Sequence, residues 1–63
     1  MENVFENLIN GNLRDAQRLA KRYSGEALTH YAFHTLGMST HRATLASLYL
    51  KGKTTFQRYA DAN

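Results

Sequence analysis

The sequence predicts an all-α fold, a compact bundle of four or five short helices with a tight corner at residues 36–39. Three observations predict it. Apolar residues recur at three- and four-residue spacing along most of the chain, and no run alternates apolar with polar residues as a half-buried strand does. There is no proline, so no ring clash interrupts a helix. Glycines at positions 11, 25, 37 and 52 punctuate the periodic stretches, with small polar residues nearby to start the next helix.

The first helix carries Val4, Phe5, Leu8 and Ile9 at helical spacing, with Glu2 and Glu6 toward the positive end of its dipole. Asn10-Gly11 stops it, because glycine tolerates a left-handed residue after a helix. Asn12 is expected to cap the second helix, with Asp15 three positions on as a weak capping box. Asn10 to Leu13 then forms the tip of an antiparallel hairpin. The second helix is expected from about Leu13 to Tyr23, with Leu13, Ala16, Leu19, Ala20 and Tyr23 as its apolar stripe.

Ser24 is a suitable N-cap for a third helix, from about Glu26 to Leu36. Leu28, Tyr31, Ala32, Thr35 and Leu36 share one of its faces. Ser39 caps a fourth helix carrying Ala43, Leu45, Ala46, Leu48, Tyr49 and Leu50. Lys51 suits its negative end, and Gly52 stops it. Thr54 or Thr55 caps a short last helix with Phe56, Tyr59 and Ala60, and residues 61–63 are expected to fray. Tyr31, Tyr49, Phe56 and Tyr59 are expected to contribute to the core.

A chain of 63 residues makes one domain, and such a domain buries only about 60% of its unfolded surface. With no cysteine, neither a disulfide nor a thiolate metal site staples it. Dense helix packing or self-association is left to stabilise it, and a homodimer is expected. No apolar run approaches the roughly 20 residues of a membrane span. The acidic start, Met1-Glu2-Asn3-Val4, lacks the features of a signal peptide, so a cytoplasmic location is expected.

The corner reads Leu36-Gly37-Met38-Ser39. It resembles the turn of helix-turn-helix DNA-binding domains, which often reads Leu-Gly-Val-Ser, with glycine at the left-handed position and serine capping the recognition helix. This resemblance implies a DNA-binding regulatory protein. Thr40, His41, Arg42 and Thr44 would then lie at or near the recognition helix N-terminus, the end that reaches base edges. The chain departs from the pattern where Phe33 replaces a small residue, with Ala32 one place off. It departs again at Ala43 and Ala46, where the family prefers branched apolar residues.

The charge supports the same expectation in part. Eight Lys and Arg against five Asp and Glu give a formal charge of +3, modest for a nucleic-acid binder. Arg14, Arg18 and Arg22 recur at four-residue spacing with Lys21 beside them, forming a rail on the polar face of the second helix. Such a rail holds phosphates, docks on an acidic protein, or is simply a solvated face whose stems cover the core edge. Lys51, Lys53 and Arg58 add a second, sparser basic group.

The alternative is a protein-interaction module, an adaptor or inhibitor of the kind a phage or other mobile element encodes. Its contacts would be His30, Phe33 and His34, with the arginine rail. Phe33 falls on the polar side of the third helix, near His30 and Glu26. Either it packs on the first or last helix, or it is exposed and marks a partner surface. Glu26, His30 and His34 follow four-residue spacing, but the residues of a metalloenzyme motif are missing around them, so neither metal nor cofactor is expected. The acids are scattered, and Ser24, Ser39 and Ser47 read as caps or helix surface. With no nucleophile elbow or phosphate loop either, no enzyme is expected.

Overall fold

The computed structural model describes residues 1–62, which form five helices: α1 (Glu2–Ile9), α2 (Leu13–Ala20), α3 (Gly25–His34), α4 (Thr40–Leu50) and α5 (Phe56–Ala60). The first four pair into two antiparallel hairpins, and α5 lies against α4. No strand occurs among the described residues.

The first hairpin turns at Asn10, Gly11 and Asn12. Gly11 has φ +83°, and its N–H donates to the Leu8 carbonyl at 3.3 Å while the Asn12 N–H donates to Asn7 at 2.8 Å. These two bonds satisfy carbonyls that the end of α1 would leave orphaned, and only glycine adopts this backbone without strain. The expected capping box is absent. Asn12 stands at the N-cap of α2, but its side chain makes no cap bond. Its amide instead donates to Asn7 Oδ1 at 3.3 Å, and Asp15 pairs with Arg18 at 3.4 Å. At the open end of this hairpin the Met1 ammonium donates to the Tyr23 hydroxyl at 3.0 Å.

Ser24, Ser39 and Thr55 cap α3, α4 and α5 as their positions predict. Their side-chain oxygens accept from the N–H groups of Ala27, Arg42 and Arg58 respectively. The second helix ends at Ala20, three residues earlier than expected, and α3 ends at His34 rather than Leu36. Lys51 explains the first difference. Its ammonium donates to the Tyr23 carbonyl at 2.7 Å and approaches the Ala20 carbonyl at 3.5 Å. Lys51 follows α4 yet satisfies the carbonyl end of α2, so it binds one hairpin to the other.

The core consists largely of alanine at the helix contacts. Ala16, Ala20, Ala32, Ala43 and Ala46 are fully buried, with Val4, Phe5, Leu8, Leu28, Tyr49, Leu50 and Tyr59 around them. Small side chains let helix axes approach closely, and the larger residues then close the space between hairpins. Phe5 of α1 stacks on Tyr31 of α3 with ring centroids 5.4 Å apart. Gln17 of α2 donates to the Tyr49 carbonyl near the end of α4 at 3.0 Å. Tyr49 also meets Phe56 and Tyr59 of α5.

Five expectations about burial are corrected. Ile9 is 65% exposed and Leu36 39% exposed. Ile9, the last residue of α1, falls past the edge of the stripe formed by Val4, Phe5 and Leu8, and Leu36 has already left α3, so its helical pattern no longer applies. Thr35 is exposed for the same reason as Leu36. Phe56 is exposed, resting one edge on Tyr49 and Tyr59. Ser47 is buried rather than on the surface. Its hydroxyl donates to the Thr44 carbonyl and lies 2.7 Å from the Thr29 hydroxyl, so a polar pair bridges α3 and α4 without an orphaned atom.

The chain end is more ordered than expected at Asp61 and Ala62. Ala62 is buried, and its carbonyl accepts from the Arg42 guanidinium at 3.2 Å. The expected fraying at residue 63 lies outside the described residues.

Candidate functional site

The corner between α3 and α4 has part of the expected construction. Gly37 takes φ +73°, and the Met38 N–H donates to the Ala32 carbonyl at 3.0 Å. Ser39 caps α4 at the Arg42 N–H, at 3.1 Å. The linker, however, spans residues 35–39, and the two helices do not splay apart beyond it. The Thr29 and Ser47 hydroxyls meet at 2.7 Å. Farther from the corner, a Cβ on Gly25 would lie 3.9 Å from Lys51 Cγ. Gly25 and Lys51 each lie about 15 Å from the corner along their helices, so helices diverging at about 90–120° would hold them roughly 20 Å apart. Contact along the full length makes α3 and α4 an antiparallel αα-hairpin.

Of the four residues expected at the start of a recognition helix, Thr40, His41 and Thr44 are exposed. The Thr44 hydroxyl donates to the Thr40 carbonyl at 2.9 Å. Arg42 is turned away from any such surface. Its guanidinium lies 4.8 Å from the Tyr59 ring centroid and donates to the Tyr59 hydroxyl at 3.4 Å as well as to the Ala62 carbonyl. The fork that would read a guanine edge is spent on holding α5, a role the sequence expectation missed. The signal available was Tyr59 seventeen residues on, which no local spacing connects to Arg42.

The basic rail is only partly built as expected and does not lie beside these residues: Arg14 and Arg18 stand on α2, whereas Lys21 and Arg22 follow its end at Ala20. Arg14, Arg18, Lys21 and Arg22 are all exposed. Only Arg18 has a carboxylate partner among the described residues. Lys21 shares a hollow of 250 Å³ with Gln17, Leu50, Lys51 and Gly52. This is the C-terminal end of α4, and α4 is about 16 Å long. The rail therefore flanks the end remote from Thr40 and His41. The second basic group is divided by the fold. Lys51 lines the same hollow as Lys21, whereas Arg58 lines a separate one with His41, Leu45 and Asp61.

The alternative partner residues do come together. Phe33 is 43% exposed, so it packs beneath neither the first nor the last helix. With Glu26, Thr29, His30, His34 and Thr40 it lines a hollow of 390 Å³ between α3 and the start of α4. The His30 and His34 rings lie 4.2 Å apart, and Phe33 meets His34 edge to face at 4.9 Å. No three metal-ligating side chains converge among the described residues.

A second hollow, of 260 Å³, opens on the other flank of α3. Phe5, Ile9, Tyr31 and Leu36 supply its apolar wall, and Glu2 and Glu6 stand at its edge. Sequence reasoning assigned these residues to the core and to the helix dipole. No helix among the described residues is long and apolar enough to cross a membrane. No family model, curated protein or solved structure matches the chain.

Proposed function

We propose that this chain is a non-enzymatic protein-interaction module whose contact surface is the outer face of α3. The observation that carries the reading is the exposed Phe33, which meets His34 edge to face beside the His30–His34 ring pair and lines a hollow large enough to admit a side chain. A solvent-facing aromatic flanked by hydrogen-bonding rings is the composition of an interface hot spot, where a rigid apolar group supplies affinity and polar neighbours supply register. The engagement of Arg42 with Tyr59 and Ala62 favours this reading over base recognition from α4.

Phosphate binding by α2 and the turn after it is the second reading. It rests on Arg14, Lys21 and Arg22, which are exposed and have no carboxylate partner among the described residues. A rail of this kind holds a nucleic-acid backbone without reading its sequence.

Photo-crosslinking from positions 33 and 18, in cells that express the chain, separates the two. Protein adducts from position 33 support the interaction module. Nucleic-acid adducts from position 18, with none to protein from position 33, replace it with the second reading.

A further inference from the structure

We infer that the partner of the α3 face is a second copy of this chain, each copy seating its Phe33 in the other's groove beside α1. The inference rests on the reading of that face as a protein contact. It adds that both halves of the contact are carried by one chain.

Residues 31 and 33 point about 200° apart on a helix. Tyr31 accordingly faces α1 and stacks on Phe5, while Phe33 faces the start of α4. One flank of α3 thus presents an aromatic knob, and the other presents an open apolar groove walled by Phe5, Ile9, Tyr31 and Leu36. If two α3 helices lie parallel about a two-fold axis, the knob flank of each faces the groove flank of the other. An isologous contact requires such self-complementarity, and it closes at two copies.

The polar groups fit the same arrangement. Glu2 and Glu6 border the groove, and neither has an ionic partner among the described residues. His30 and His34 lie on the same flank as the knob, with Glu26 farther along the same hollow. Seating Phe33 in the groove brings two imidazoles and one carboxylate toward Glu2 and Glu6, whereas pairing groove with groove would oppose four carboxylates with no imidazole among them. The contact also covers Ile9, Leu36 and Phe33, three of the four large apolar residues left exposed among the described residues.

The test is sedimentation velocity on the full chain at about 100 µM, where a weak dimer is populated by mass action. Three samples are compared: wild type, Phe33→Ala, which lacks the knob, and Ile9→Glu, which spoils the groove at an exposed position. Circular dichroism melts confirm that both variants fold. Wild type is expected to sediment as a dimer and each variant alone as a monomer. An equimolar mixture of the variants is expected to associate more than either variant alone but less than wild type, because one of the two knob–groove contacts survives. A monomeric wild type, or variants that dimerise as wild type does, overturns the inference. Crosslinking from position 33 distinguishes the two failures. Adducts to another protein with a monomeric wild type remove self-pairing and keep the interaction module, while no protein adduct removes both.

Discussion

The two hairpins are built from the same amphipathic pattern and put different chemistry on their surfaces. The α1–α2 hairpin closes over three residues and separates its charge, with Glu2 and Glu6 on α1, Arg14 and Arg18 on α2, and Lys21 and Arg22 just past its end. The α3–α4 hairpin closes over five residues and presents histidine, threonine and Phe33 at its corner end. The first therefore offers fields, which act at a distance and are screened by salt. The second offers a short-range apolar contact, which needs a complementary shape. On the proposed reading, a basic chain carries its contact surface away from its charge.

The largest expected effect tests whether the hairpins share one core. Phe5→Ala removes the ring that joins α1 to Tyr31 and should cost about 3–5 kcal/mol. A domain of this size has only about 3–9 kcal/mol in total, so urea titration should find the variant mostly unfolded at moderate denaturant. Phe33→Ala, the same truncation on the exposed face, should shift the free energy by no more than about 0.5 kcal/mol. Equal losses would make Phe33 a core residue and end the distinction drawn between the two surfaces.

Lys51→Met comes next. It keeps the aliphatic stem but removes the ammonium from the Tyr23 carbonyl, and should cost about 1–2 kcal/mol. Hydrogen exchange should then rise at the end of α2 before it rises in α1, since Lys51 is the tie between hairpins at that point. Uniform exchange would mean that the tie is dispensable.

The turns form a third comparison. Gly11→Ala and Gly37→Ala should each cost about 1 kcal/mol, because both residues are left-handed. Neither added Cβ meets an atom within 4 Å, so the penalty is purely conformational and should be nearly equal at the two sites. A much larger loss at Gly37 would show that the longer turn is also packed.

Arg18→Ala should have the smallest effect on stability, within about 0.5 kcal/mol, because its pair with Asp15 is solvent-exposed. Fluorescence anisotropy with random duplex DNA at low salt gives this variant a second use. Weaker binding with a flatter salt dependence would sharpen the phosphate reading of α2. Binding unchanged from wild type would leave the rail a solvated helix face.

Much of the local structure was legible in the chain. Ser24, Ser39 and Thr55 are followed by periodic apolar residues, and each caps a helix because the side chain reaches a backbone donor three residues on. Gly11 stops α1 for an equally local reason. The candidate site was legible only in pieces. His30, Phe33 and His34 share a helix face by spacing alone, so their grouping could be read. The groove beside α1 could not, since it joins residues 5 and 9 to residues 31 and 36. Arg42 misled for the same reason. Its position after the corner suggested a base-reading role, whereas its partners lie at residues 59 and 62.

By itself the sequence determined that the chain is all-helical, where Ser24, Ser39 and Thr55 start helices and most of the positions those helices bury, because backbone hydrogen bonds and side-chain periodicity act over three or four residues. The tertiary structure alone decided that α3 and α4 lie antiparallel, that Lys51 serves α2 rather than its own helix, and that the Arg42 guanidinium is engaged by Tyr59 and Ala62. Those outcomes depend on which helices meet and at what angle, and contact between distant residues is set by packing rather than by spacing along the chain.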